Sequence, residues 1–85
     1  MGRPAQQTVV LAKSTKLKHG TKSRRTLCYG DSTPYPRQVR MRMSAALEVG
    51  ALEMEEDGDI AMNTATICFF YSAVEPDSLM AILRQ

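Results

Sequence analysis

The side chains with the clearest chemical potential are the lysines and arginines between positions 13 and 25. Six of them occur there without an acid: Lys13, Lys16, Lys18, Lys22, Arg24 and Arg25. Cations spaced in this way can contact successive phosphates, and each contact releases counterions and adds salt-sensitive affinity. Because phosphate contacts do not read bases, the segment predicts binding to nucleic acid or another polyanion without base specificity. A solvated basic loop is the alternative.

Other residues extend this prediction. Arg40 and Arg42 would add a positive row on the polar side of the strand predicted below. Tyr29 and Tyr35 could stack on bases, although two aromatic rings make a weak platform. The run from Lys16 to Arg25 also resembles a nuclear localisation patch, a pattern that occurs often by chance.

Catalytic and metal-binding groups are sparse. His19 is the single histidine, and lysines flank it without a neighbouring carboxylate. Cys28 and Cys68 are far apart and form no CxxC pair, so four metal ligands are not available in a recognised spacing. The acids around Gly58 do not follow the EF-hand spacing. We therefore expect a non-enzymatic protein without metal or cofactor.

Charge is divided between the two halves of the chain. Residues 1–43 carry ten lysines and arginines against one acid, for a net charge of +9. Residues 44–85 carry eight acids against Arg84, for a net charge of −7. Such a division predicts contact with a polyanion, or attraction between copies of the chain or with another protein. Attraction between the halves of one fold is the alternative.

The composition also bears on location. No stretch resembles a secretory signal or a membrane span, so we expect an intracellular protein with reduced thiols, in the cytoplasm, the nucleus or a virion, and no membrane partner. The first 30 residues contain no acid and several hydroxyl residues, which leaves organelle import as an alternative.

The N-terminal third reads as a basic arm over residues 1–35. Short strands are predicted at 7–12 and 26–29, where β-branched and apolar residues cluster. The polar stretch between them is read as an extended arm or loop. The segment from Gly30 to Pro36 is rich in turn-forming residues, so we place a boundary there and a folded body at 36–85.

The central segment predicts an antiparallel β-hairpin over about 37–54 and 60–74. Apolar residues occupy every odd position from Val39 to Ala51, and the phase slips after Gly50, as at a β-bulge. Asp57-Gly58 suits a two-residue hairpin turn. With one extra residue at the bulge, apolar residues of the first strand lie opposite apolar residues of the second. The alternative is a helix from Ala45 to Glu56 with Ser44 as its N-cap.

The C-terminal segment 75–85 predicts a short helix, with acids and Pro76 at its start and Arg84 at its end. Leu79, Ile82 and Leu83 share one face, which must dock because two helical turns are not stable alone. The fold expected is thus a small α+β protein: a bulged hairpin, a C-terminal helix and a basic arm.

Three functions remain open. The leading one is a structural protein that assembles into a virion or ribonucleoprotein particle, since the core is small and rich in methionine. The second is a stand-alone regulatory protein that binds nucleic acid. The third is an inhibitor that binds a partner protein through its acidic half.

Overall fold

The computed structural model describes residues 9–20, 22–72 and 76–84. Four strands form one antiparallel sheet in the order β3-β2-β1-β4. These strands are β1 (Val9–His19), β2 (Lys22–Tyr29), β3 (Thr33–Pro34) and β4 (Asp59–Asn63). Three helices accompany them: α1 (Arg37–Glu48), α2 (Thr64–Tyr71) and α3 (Pro76–Leu83). The predicted α+β class with an antiparallel sheet and a C-terminal helix is confirmed.

The helices cover one face of the sheet. Val10 and Ala12 of β1 lie opposite Met62 and Ile60 of β4, and all four are buried. They share a core with helical residues and with Leu27 and Tyr35; the helical members are Val39, Met43, Ile67, Phe70, Tyr71 and Ile82. Alternate residues of β1 point to opposite faces, and Val9 and Leu11 on the other face are 61% and 47% exposed. The core therefore has a single layer of helices.

The predicted strand at 37–54 is wrong, because residues 37–48 form helix α1. A pattern with an apolar residue at every second position also has one at every fourth position, and residues four apart share one face of a helix. Val39, Met43 and Leu47 therefore fit one face of a helix as well as one side of a strand. Val39 and Met43 are fully buried, whereas Met41 is 57% exposed. The helix also begins and ends earlier than the alternative helix from Ala45 to Glu56.

Gly50 is not a β-bulge but the end of α1. Its φ of +81° is left-handed, and its N–H donates to Leu47 O while the Ala51 N–H donates to Ala46 O. These two bonds form a Schellman motif, which satisfies the last helical carbonyls and favours glycine at this position. The slip in the apolar pattern therefore marks a helix end.

The predicted return strand at 60–74 is correct only at its beginning. Strand β4 ends at Asn63, whose Oδ1 accepts hydrogen bonds from the N and Oγ1 of Thr66, each at 2.9 Å. This N-cap starts α2, and Ile67, Phe70 and Tyr71 are buried at helical spacing. Strand propensity was overridden by the cap and by packing. Residues 73 and 74 lie outside the described part of the chain.

The basic segment is also not an arm or a loop, since all of β2 pairs with β1, from Ala12–Tyr29 to His19–Lys22. The predicted strands at 7–12 and 26–29 are the two ends of this hairpin; positions 7 and 8 lie outside the described residues. Gly20 takes a left-handed φ of +67° in the tight connection between them. The basic residues are therefore held on a β-ribbon.

We predict that Gly50→Ala lowers the free energy of unfolding by about 1–2 kcal/mol, because an L side chain is strained at left-handed φ. Apart from its two chain neighbours, no atom of the described residues lies within 4 Å of the added Cβ, so the loss comes from the backbone alone. Gly50→Asn is the control and loses less, since asparagine tolerates this conformation. Urea denaturation measures both, and equal stability of Gly50→Ala and the natural chain would contradict the helix end described.

Candidate nucleic-acid interface

The outer part of the β1–β2 hairpin projects beyond the rest of the sheet. Strand β4 pairs with β1 only from Val9 to Lys13, and β3 pairs with β2 only at Cys28 and Tyr29. Residues 15–19 and 22–26, which we name the basic ribbon, therefore have only each other as strand partners among the described residues. The molecule measures 53 × 29 × 23 Å, in keeping with a projecting hairpin.

The ribbon carries cations on both faces. Residues directly opposite share a face, so Lys16 and Arg25 lie side by side, and Lys18 lies beside Ser23 on that same face. Leu17 lies beside Arg24 on the other face, which also carries Lys22. Lys16, Lys18, Lys22, Arg24 and Arg25 are all exposed. The structure thus brings five of the predicted site residues together.

These five cations lack acidic partners within the described residues. The one ion pair among those residues joins Lys13 Nζ to Asp59 Oδ1 at 3.7 Å. It lies at the end of the ribbon nearest the core, which we call the foot of the ribbon. Both side chains are partly exposed, so the pair contributes little to stability. Lys16 and Arg25 are like charges placed directly opposite, an arrangement that destabilises a sheet. The charge of the ribbon is therefore not neutralised by the described part of the chain.

Arg40 and Arg42 do not form the predicted row on a strand, because they lie on α1. Arg40 Nε donates to Tyr35 O at 2.8 Å, and Arg40 Nη1 donates to Thr26 Oγ1 at 3.2 Å. Arg42 Nη1 donates to Ser72 O at 3.0 Å and to Phe70 O at 3.4 Å, at the end of α2. Both arginines thus tie α1 to neighbouring elements.

The acidic residues are concentrated in the segment between α1 and β4. Glu53, Glu55, Glu56 and Asp57 are exposed there. This loop meets the foot of the ribbon, where the Ser14 N–H donates to Gly58 O at 2.9 Å. The prediction of Asp57-Gly58 as the centre of a hairpin turn is wrong, because the Gly58 N–H donates to Glu55 O at 2.8 Å and the turn spans residues 55–58. This turn leads from the segment after α1 into β4 and does not join two strands. Charge therefore changes from negative at the foot to positive along the ribbon.

Comparison of the chain with protein-family models, curated proteins and solved structures gives no significant match. The ribbon is thus interpreted from its own residues alone.

The tyrosines contribute less than the sequence suggested. Tyr35 is 1% exposed and packs edge-on between Tyr29 and Tyr71, with ring centroids 6.2 and 6.3 Å away. Burial, followed by the charges of Tyr71 and Tyr29, raises the pKa of Tyr35 far above its usual range. A nucleic-acid base therefore cannot stack on the buried ring of Tyr35. Tyr29, at the end of β2, is half-buried.

Cys28 and Cys68 are free thiols, and Cys28 Sγ accepts a hydrogen bond from Thr15 Oγ1 at 3.1 Å. The side chain of His19 lies outside the described part. Within residues 9–20, 22–72 and 76–84, no three His, Cys, Asp or Glu side chains are grouped to hold a metal ion. None of the helices described has both the length and the apolar character needed to cross a membrane.

We predict that Lys16→Glu stabilises the fold by about 0.2–1 kcal/mol, because it replaces a like-charge pair with an ion pair to Arg25. Lys18→Glu is the matched control, since the same charge change there faces Ser23. Urea denaturation at low salt should separate the two variants, and the difference should shrink near 1 M salt, where charges are screened. A Lys16→Glu protein no more stable than Lys18→Glu would contradict the pairing.

Proposed function

We propose that the protein binds nucleic acid through the basic ribbon and does so as a non-enzymatic component of a larger assembly. The observation that carries the proposal is the set of five exposed cations on a projecting two-stranded ribbon without acidic partners among the described residues. A chain of phosphates offers repeated anions along such a ribbon, and its binding releases counterions. The proposal therefore rests on charge and shape together.

The form of the ribbon suits a duplex or a single strand. A two-stranded β-ribbon fits the major groove of B-form DNA, where cations on both of its faces meet the phosphates on either side. Alternate residues along one strand are about 7 Å apart, so Lys16 and Lys18 can contact separate phosphates. No asparagine or glutamine, which pair with adenine, occurs between positions 13 and 29, but Arg24 and Arg25 have the donors to pair with guanine. We expect binding mainly through phosphates, with little base specificity.

The proposed place in an assembly rests on the helix-free face of the sheet and on apolar residues of the helices. Val9 and Leu11 are exposed on that face, and Phe69 of α2 is 69% exposed. Large apolar side chains exposed in this way are available to contact another protein or copy. This observation favours an assembly protein over the second candidate, a regulatory protein that acts alone on nucleic acid.

The inhibitor hypothesis, in which the acidic half of the chain binds a partner protein, stays a prediction. Its acids include the exposed carboxylates of residues 53–57, which we name the acidic loop. Its carboxylates are exposed, but they lie beside the foot of the ribbon, where they repel a polyanion that extends past the ribbon. We therefore assign the loop the role of limiting how far a polyanion extends beyond the foot of the ribbon.

The test is the salt dependence of binding to single-stranded and duplex oligonucleotides. For the natural chain we expect affinity to fall steeply with salt, and Lys18→Gln with Arg24→Gln should reduce the logarithmic slope by about 1–2, because two phosphate contacts are lost. Fluorescence anisotropy provides the measurement.

Arg37→Gln with Arg84→Gln is the matched control, since it removes two exposed charges outside the ribbon. Its slope should stay close to that of the natural chain. No binding at low salt, or equal losses in both double variants, would refute the proposal. Light scattering of the same nuclease-treated samples separates the candidates: a monomer would favour the regulatory protein, and an oligomer the assembly protein.

A further inference from the structure

A small cavity lies where the foot of the ribbon meets α1 and the segment that follows α1. Its volume is about 270 Å³. Its polar lining consists of two arginines and three hydroxyl residues: Arg25, Arg40, Ser14, Thr26 and Ser44. Leu27, Leu47 and Met54 supply apolar walls. The cavity is smaller than pockets for drug-sized ligands, so it suits a small polar group.

The two arginines that line the cavity are held by hydrogen bonds to the fold. Arg40 is fixed through Nε to Tyr35 O and through Nη1 to Thr26 Oγ1. Arg25 Nη1 donates to Ser14 O at 2.9 Å. A guanidinium has five N–H donors, so each arginine keeps donors beyond those used in these bonds. Fixed guanidinium groups lose less entropy when they bind a ligand.

The charge of the cavity is unbalanced. No acidic side chain of the described residues lines it, and neither Arg25 nor Arg40 forms an ion pair within that part of the chain. Two guanidinium groups beside one cavity repel each other unless an anion lies between them. The lining therefore favours an anion with acceptors for two arginines.

A phosphate group fits these requirements better than a carboxylate. Its oxygens can accept from two guanidinium groups at once, and Arg–phosphate pairs are frequently bidentate. Thr26 Oγ1 already accepts from Arg40, so its own proton is free to be donated to an oxygen of the ligand. Ser44, exposed on α1, offers a further hydroxyl.

We propose that the cavity between Arg25 and Arg40 is a binding site for a single phosphate group. The site deepens the proposed function, and rests on it for the source of the phosphate, because Arg25 belongs to both the ribbon and the cavity. A backbone phosphate seated there would fix where a nucleic acid meets the foot of the ribbon. A free phosphate or phosphomonoester has the same chemistry.

In the first arm of the test, inorganic phosphate is titrated into the full chain, and the amide NMR signals of Thr26 and Ser44 are recorded at each concentration. We expect saturable shifts of both signals. Arg25→Gln should weaken the apparent affinity about tenfold, since one bidentate contact is lost. Arg84→Gln is the matched control, because this exposed arginine lies outside both the ribbon and the lining of the cavity, and it should leave the affinity within about twofold.

Arg40 also supports the fold, so Ser44→Ala serves as the second variant and should weaken phosphate binding about two- to fivefold through the loss of one hydrogen bond. Shifts that do not saturate, or equal losses in Arg25→Gln and Arg84→Gln, would overturn the site. An Arg25→Gln protein that binds inorganic phosphate as tightly as the natural chain would also overturn the site.

The second arm adds a single-stranded oligonucleotide. Competition between the oligonucleotide and inorganic phosphate for the Thr26 and Ser44 signals would support the site and assign the phosphate to nucleic acid. Phosphate binding that survives in Lys18→Gln with Arg24→Gln, while oligonucleotide binding is lost, would support the cavity independently of the ribbon. Oligonucleotide binding without any response to inorganic phosphate would overturn the cavity and leave the ribbon intact.

Discussion

The structure depends on the pairing of one long strand with partners of unequal length. Strand β1 has eleven residues and β4 has five, so β4 and the helices cover only the N-terminal half of β1. That half carries Val10 and Ala12, which are buried in the core. The C-terminal half has β2 as its strand partner and lies outside the core. Apolar residues in one half and basic residues in the other thus divide a single hairpin into an anchored foot and a projecting ribbon.

This arrangement places cations where they oppose folding rather than assist it. Lys16 beside Arg25 is unfavourable within a sheet, and neither forms an ion pair within the described part of the chain. The acidic loop is held at the foot of the ribbon by the bond from Ser14 N–H to Gly58 O. Like charges that remain together at a cost in stability are typical of a surface that binds an anion. Arg40 and Arg42 show the contrast, because their guanidinium groups donate to carbonyl oxygens of the fold.

Part of this organisation could be predicted from the sequence. The α+β class, the C-terminal helix and the apolar ends of the β1–β2 hairpin follow from local patterns. Helix α1 was missed because Val39, Met43 and Leu47 satisfy both strand and helix periodicities, and α2 because its strand-forming residues are overridden by the Asn63 cap. The basic residues of the ribbon were found by composition, but their exposure and shared faces depend on the β1–β2 register. The cavity between Arg25 and Arg40 depends on the position of α1, which no local pattern specifies.

The central claim is that the polyanion contacts the lysines of the projecting ribbon. It is tested most directly by the acetylation rate of each lysine with and without saturating single-stranded nucleic acid, read by mass spectrometry. The account predicts strong protection of Lys16, Lys18 and Lys22, and the least protection of Lys13, which is paired with Asp59 at the foot. Unchanged acetylation of the three ribbon lysines at saturation would contradict it.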